Sequence, residues 1–91
     1  MYEVAPGVRT TCNDDGGTLL DISGGQIFRL NVTGSRIVAL LQLGQAESRI
    51  IDSISQEFDI ARTSVQTDVS DFLRCLERQG LIHQKPERRL L

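Results

Sequence analysis

Two turn-forming clusters near the N-terminus constrain the fold of this 91-residue chain more than any other feature. The clusters NDDGG (residues 13–17) and SGG (residues 23–25) separate three short β-prone runs at residues 8–12, 18–22 and 26–30. Asn, Asp and Gly favour tight turns, and glycine adopts positive φ without steric cost. Two turns at this spacing predict an antiparallel three-stranded meander. Alternation along the third run puts Phe28 and Leu30 on one face and Ile27 and Arg29 on the other.

The rest of the chain has helical periodicity. The first helix is predicted to begin with Thr33 as its N-cap and to end at Gly44, and the second covers residues 47–58. A small sheet is not stable alone, so the helices must cover one of its faces. The order of strands and helices predicts an α+β fold, a winged helix-turn-helix-like domain with a three-stranded antiparallel sheet followed by three helices.

The third helix is predicted to start near Arg62 or Ser64, or slightly earlier at Ala61, and Thr63 with Gln66 fits a capping box. Gly80 is predicted to follow this helix as its C′ residue. Leu81 and Ile82 would then pack back on the core. The apolar face of this helix consists of Val65, Val69, Phe72, Leu73 and Leu76. We expect one domain over residues 1–83 and a flexible C-terminal tail over residues 84–91.

The charge and the cysteines limit the function classes. A formal net charge of −2 argues against general nucleic-acid binding, which needs a surplus of basic residues. Cys12 and Cys75 lie far apart and form no metal-binding pair, so free thiols in a reducing cytoplasm are expected. Since the sequence has neither a signal peptide nor an apolar stretch of membrane-spanning length, we predict a cytoplasmic protein without a membrane partner.

Few side chains have the chemistry that catalysis needs. His83 is the sole histidine and is expected at the surface beside the tail. The adjacent Asp14 and Asp15 favour a turn, and the glycine pairs lack the lysine and the helix of a phosphate loop. Cys75, between Leu73 and Leu76, is expected to be partly buried. We therefore predict no catalytic residue, no metal, no cofactor and no enzymatic activity.

An ordered set of motifs resembles the pyrroloquinoline quinone biosynthesis chaperone D family. The motifs are GTLLD (residues 17–21), GQIFRLN (residues 25–31), TGSRI (residues 33–37) and a later DVxxFLxxLxxxGLI pattern (residues 68–82). The resemblance extends from about Val4 to His83. The chain departs from the family at one position of the first helix, where the family has Trp and this chain has Val38.

The resemblance implies a non-catalytic recognition element for ribosomally made, post-translationally modified peptides. Such an element binds the leader region of a precursor peptide as a strand beside the third β-strand, against the third helix. A short, standalone, Arg-containing member also looks like the leader-binding protein of a lasso peptide cluster. It would deliver the precursor to a leader-processing cysteine protease and to a cyclase. Pyrroloquinoline quinone synthesis and other modified-peptide pathways remain alternatives.

The expected mechanism is β-augmentation, in which a peptide pairs with the open edge of the third strand. Arg29 and Arg62 would face acidic leader residues, and Asp68 and Asp71 basic ones. An open edge also permits a homodimer. The predicted peptide-binding residues are Gln26, Ile27, Phe28, Arg29, Leu30, Arg62, Val65, Asp68, Val69, Phe72 and Leu76.

Two other functions fit the sequence. A winged helix could bind DNA, although Asp68, Asp71 and Glu77 on the third helix would repel phosphates. A docking subunit would bind an enzyme without binding the leader. A salt-sensitive shift with duplex DNA, or enzyme binding without leader binding, would favour these alternatives.

Overall fold

A computed structural model describes residues 2–85 of the protein, and these residues form five strands and three helices. The strands are β1 (Tyr2–Val4), β2 (Val8–Asn13), β3 (Gly16–Asp21), β4 (Gln26–Leu30) and β5 (Ile82–Gln84). The helices are α1 (Val32–Gln42), α2 (Glu47–Phe58) and α3 (Arg62–Arg78). The architecture is α+β, as predicted, with a three-stranded antiparallel sheet followed by three helices.

The predicted meander is present, with β3 between β2 and β4. Strand β4 has the predicted bounds, whereas β3 begins at Gly16, two residues before the predicted start at Thr18. Glycines 16 and 17 are thus strand residues, and the turn consists of Asp14 and Asp15. A Cβ at Gly17 would collide with the carbonyl oxygen of Thr11 and lie 3.0 Å from Ser35 Oγ. Glycine is needed here because the backbone of β2 leaves no room for a Cβ, and Ser35 of α1 lies close to the same point.

The inner face of the sheet is set by its register. Leu19 lies opposite Thr10 on one side and Phe28 on the other. Leu30 is buried and Phe28 half-buried, while Ile27 and Arg29 are exposed. The predicted division of β4 into an inner and an outer face is therefore confirmed.

A second, two-stranded sheet was not predicted. Strands β1 and β5 pair antiparallel, with Glu3 opposite His83 and their Oε1 and Nε2 atoms 2.6 Å apart. The His83 side chain is 45% exposed, so it lies at the surface as expected, and there it is paired with Glu3. Three-residue strands are too short for alternation to reveal them. Gln84, where the tail was predicted to begin, lies in β5, and residues 86–91 of that tail lie outside the described residues.

The prediction of Thr33 as the N-cap of α1 was wrong. Asn31 caps this helix, and its Oδ1 accepts a hydrogen bond of 2.8 Å from the backbone N–H of Gly34. An N-cap side chain reaches the N–H two or three residues ahead, and Asn31 does so directly from the end of β4. The helix therefore starts with Val32, one residue after the cap.

The capping box predicted for α3 was also wrong. Ala61 precedes the helix without a side-chain cap, and α3 starts at Arg62, which is one of the predicted starts. The other end agrees with the prediction, because Gly80 has a φ of +75° and the chain then returns Leu81 and Ile82 to the core. Cys75 is exposed, not partly buried as expected, because it lies on the solvent side of α3 between the buried Leu73 and Leu76.

The core lies between the inner face of the meander and the three helices. All of its buried members are aliphatic, and Phe28, Phe58 and Phe72 pack against them from the periphery. None of the three helices within residues 2–85 combines the length and the apolar character that a bilayer crossing requires. The buried residues are Leu19, Leu30, Ile37, Val38, Leu40, Leu41, Ile50, Ile51, Ile54, Val65, Val69, Leu73, Leu76, Leu81 and Ile82.

Candidate functional site: an open strand edge beside an apolar pocket

Strand β4 is an edge strand. It pairs with β3 on one side, and no other strand within residues 2–85 pairs with it. In an antiparallel sheet, successive residues direct their backbone N–H and C=O groups alternately to one neighbour and to the other. Every second residue of β4 therefore presents an N–H and a C=O to the open side.

The residues that face the open edge can be identified. The Leu30 carbonyl oxygen points towards β3, since a Cβ on Gly16 would lie only 2.5 Å from it. Leu30 pairs with Gly17, and Phe28 and Gln26 follow at alternate positions opposite β3. Because bonding directions alternate, the N–H and C=O groups of Ile27 and Arg29 point away from the sheet. Their side chains stand on its outer face, where Ile27 is 67% exposed.

A pocket of about 410 Å³ opens where β4 ends. This volume lies in the range of sites that hold a side chain or a small ligand. Three segments contribute to the wall: the end of β4 with its following residue, the first turns of α1, and the N-terminal half of α3. The lining residues are Arg29, Leu30, Asn31, Thr33, Gly34, Ile37, Val65, Asp68, Val69 and Phe72.

The floor of the pocket is apolar. Leu30, Ile37, Val65 and Val69 are buried core residues whose surfaces close its base. Phe72 is half-buried, and its ring lies over α1 at Gly34. Val69 is only 1% exposed, so a charge at this position would disrupt the core as well as the pocket.

The rim of the pocket carries opposite charges on opposite elements. Arg29 lies on β4 and Asp68 on α3, and both are exposed. Among residues 2–85, neither of them forms an ion pair. The two walls of the pocket thus differ in charge, with a cation on β4 and an anion on α3.

The structure brings together six of the eleven predicted peptide-binding residues. Arg29, Leu30, Val65, Asp68, Val69 and Phe72 all line the pocket. Gln26, Ile27 and Phe28 lie on the adjoining part of β4 and outside the pocket.

Two of the predicted residues have other surroundings. Arg62 turns towards α2, where its Nε lies 2.6 Å from Asp52 Oδ1. Leu76 is 5% exposed and belongs to the core below the pocket. Neither residue lines the pocket, because Arg62 precedes the segment of α3 that does and Leu76 follows it.

Sequence reasoning missed the contribution of α1. Asn31, Thr33, Gly34 and Ile37 line the pocket because α1 begins directly after β4 and its first turns lie beside α3. The signal in the sequence was the direct passage from β4 to the helix cap at Asn31. A helix that begins immediately after a strand must have its first turn next to the end of that strand.

Other polar clusters in the described residues offer little chemistry. Within residues 2–85, no group of three or more His, Cys, Asp or Glu residues is arranged to hold a metal ion. Partial burial, followed by the nearby charge of Glu77, raises the pKa of Tyr2. The Tyr2 hydroxyl donates a hydrogen bond of 3.2 Å to Glu77 Oε1, at the end of the molecule where β1 meets α3.

Comparison with known families identifies the chain. Residues 16–82 match the family described as Coenzyme PQQ synthesis protein D (PqqD), and this segment is well over half of the sequence. The chain belongs to the PqqD family. The match begins with β3 and ends in β5, so it includes β4, α1, α3 and the whole pocket. A search of curated proteins gave no significant match.

Two solved structures resemble this PqqD-family chain over nearly its full length. One is "TbiB1 in Complex with the TbiA(beta) Leader Peptide", with 33% identity and a TM-score of 0.85, covering 93% of this chain and 99% of that one. The other is "Lasso peptide synthetase B1 complexed with the leader peptide", with 24% identity and a TM-score of 0.82, covering 91% and 98%. The second likeness concerns the fold alone.

Proposed function

We propose that this PqqD-family chain binds the leader region of a precursor peptide by adding it as a strand to β4. The observation that carries the proposal is the open edge at Ile27 and Arg29, which runs directly into the apolar pocket. The backbone of the peptide would complete the ladder and supply affinity that tolerates different sequences. One apolar or aromatic side chain would enter the pocket and supply selectivity.

The solved relatives support this proposal. TbiB1, which is 33% identical over 93% of this chain, was solved with the TbiA(beta) leader peptide. A binding mode by strand addition needs an edge that is free in the unbound chain, and no strand within residues 2–85 pairs with the outer side of β4. The exposed Arg29 and Asp68 add charge selection at the two sides of the pocket.

We place the chain in lasso peptide biosynthesis, as a binding protein and not a catalyst. Membership of the PqqD family is shared with quinone cofactor synthesis and does not choose between the pathways. The lasso pathway is supported by the likeness of this short, Arg-containing chain to lasso leader-binding proteins and by its 33% identity to TbiB1, which was solved with a leader peptide. The bound precursor would pass to a leader-processing cysteine protease and then to a cyclase. Without peptide, the same edge is where two copies of the chain would pair in a homodimer.

The winged helix-turn-helix classification is part of the proposal. Helices α2 and α3 are joined by a short turn in which Asp59 adopts a left-handed φ of 53°, and the hairpin of β3 and β4 would be the wing. In this description the wing and α3 hold a peptide, whereas in DNA-binding relatives of the fold α3 would enter a groove.

The test is to locate and measure peptide binding directly. A fluorescently labelled TbiA(beta) leader peptide and a displayed library of random strand-length peptides would serve as probes. We expect saturable binding with a Kd in the micromolar range or tighter, on the order of −8 kcal/mol. Amide NMR shifts should change mainly along β4 and the N-terminal half of α3. If no peptide binds, or if duplex DNA binds instead with strong salt dependence, the proposal is wrong.

A further inference from the structure

Gly34 is the one position in the first turn of α1 where the absence of a side chain shapes the pocket. It is the third residue of the helix, it is buried, and its N–H is held by the Asn31 side chain. A Cβ at this position would lie 3.2 Å from Asn31 Oδ1 and 3.2 Å from Phe72 Cζ. The Phe72 ring therefore packs against α1 as closely as it does only because residue 34 is glycine.

We propose that Gly34, acting through Phe72, is a specificity-determining residue that sets the size of the side chain the pocket accepts. The proposal rests on the proposed function, because it concerns the same pocket. Gly34 would not contact the peptide by a side chain of its own. It would set how far the Phe72 ring withdraws from the pocket.

The direction in which the ring would move follows from its surroundings. A methyl group on residue 34 needs a few tenths of an ångström that its neighbours must yield. The Asn31 oxygen is fixed by its 2.8 Å bond to the helix, so the ring is the neighbour that moves. Val69 and Leu73 beside it on α3 are 1% and 0% exposed, and this dense packing resists movement into the core. The half-buried ring therefore moves towards the open pocket and narrows it.

The fold should tolerate Gly34→Ala, because alanine is the better helix former. We call the peptide side chain that enters the pocket the anchor. If the pocket loses the volume of about one methylene group, a peptide with a bulky anchor should bind about fourfold more weakly. A peptide with a smaller anchor, such as valine in place of tyrosine, should lose less of its affinity. Phe72→Leu, which leaves a smaller side chain over Gly34, should have the opposite effect and favour bulkier anchors.

The experiment is a selection from a ribosome-displayed library of random strand-length peptides against four proteins. These are the wild type, Gly34→Ala, Phe72→Leu and the double variant, with thermal unfolding measured for each. We expect the wild type to enrich one large apolar or aromatic anchor, Gly34→Ala to shift to smaller anchors, and the double variant to return to the wild-type preference. Val32→Ala is the matched control, because Val32 is exposed in the same helical turn and lies outside the pocket.

The outcomes separate this inference from the function on which it rests. If the wild type enriches no peptide, the proposed function fails. If the wild type enriches peptides but Gly34→Ala keeps the same anchor, the inference fails while the function stands. A shift that persists unchanged in the double variant also overturns it, since the effect would not pass through Phe72. A Gly34→Ala variant that does not fold overturns the inference as well, because the inference requires the Phe72 ring to yield to the added methyl group.

Discussion

Blocking the open edge of β4 at one backbone atom is the most direct test of strand addition. In Ile27→Pro the backbone N–H at the edge is replaced by a proline ring, while the residue stays in an edge strand, where proline is tolerated. The N–H of Ile27 points away from β3, so the sheet itself loses no hydrogen bond. The variant should therefore keep its fold and lose peptide affinity.

The magnitude follows from the number of groups at the edge. Ile27 and Arg29 each offer one donor and one acceptor to an added strand, so at most four backbone bonds form. At about 1 kcal/mol net for each bond, they supply roughly half of the −8 kcal/mol of a micromolar complex. Proline removes one bond, and its ring displaces at least one more. The expected loss is about 2 kcal/mol, or roughly 30-fold in Kd.

Fluorescence anisotropy with a labelled leader peptide measures this loss, with Ile27→Val as the matched control. Ile27→Val shortens the same side chain but keeps the N–H, so its Kd should stay close to that of the wild type. Phe28→Pro should instead unfold the protein, because the Phe28 N–H bonds to β3. Amide hydrogen exchange adds a second readout, since the Ile27 and Arg29 amides should gain protection when the peptide binds.

Strand addition at β4 is excluded if Ile27→Pro, still folded, binds the peptide as tightly as Ile27→Val. In that case the peptide would not pair with the β4 edge. Circular dichroism would show whether Ile27→Pro loses affinity only because it unfolds. Unfolding of Ile27→Pro would contradict the assignment that the Ile27 N–H points away from β3, and a folded Phe28→Pro would contradict it too.

Two further predictions concern stability and ionisation. Ser35→Ala should lower the free energy of unfolding in urea by about 1 kcal/mol, because the buried Ser35 Oγ donates a hydrogen bond of 2.9 Å to the Gly16 carbonyl; an unchanged unfolding midpoint would contradict this. Tyr2 is the sole tyrosine and the chain has no tryptophan, so near-ultraviolet absorbance titrates its phenol alone. Its pKa is raised above the ordinary value of 10.0, which means that the stabilisation from the neutral phenol is present below pH 10.0 and is lost as the pH rises through the folded-state pKa. Glu77→Gln should lower this pKa towards 10.0, and an identical titration curve in the variant would exclude a contribution from Glu77.

Much of the fold could be predicted because its signals are local. Strand β4 and helix α2 have the predicted bounds, since alternation and helical periodicity are clear over those residues. The Thr33 cap and the Thr63–Gln66 capping box were wrong for a common reason. A cap depends on where the backbone actually turns, and the end of β4 made Asn31 the nearer acceptor for α1.

The sites of close packing could not be predicted from local signals. The pairing of β1 with β5 joins the two ends of the described chain, and each strand is only three residues long. The Arg62–Asp52 ion pair joins α3 to α2 and removes Arg62 from the pocket. Both features depend on how close two elements come in space, and the periodicity of a sequence does not predict such distances.

Local patterns along the chain specify the meander, the order of the helices, the two faces of β4 and the apolar stripe of α3. These properties follow from alternation, helical period and turn chemistry, which act between near neighbours in the chain. Long-range packing leaves the outer side of β4 without a partner strand within residues 2–85, and it makes α1 close one side of the pocket. It also decided that Phe72 rests on Gly34, because a contact between residues 38 positions apart is set by how α1 and α3 pack and not by either helix alone.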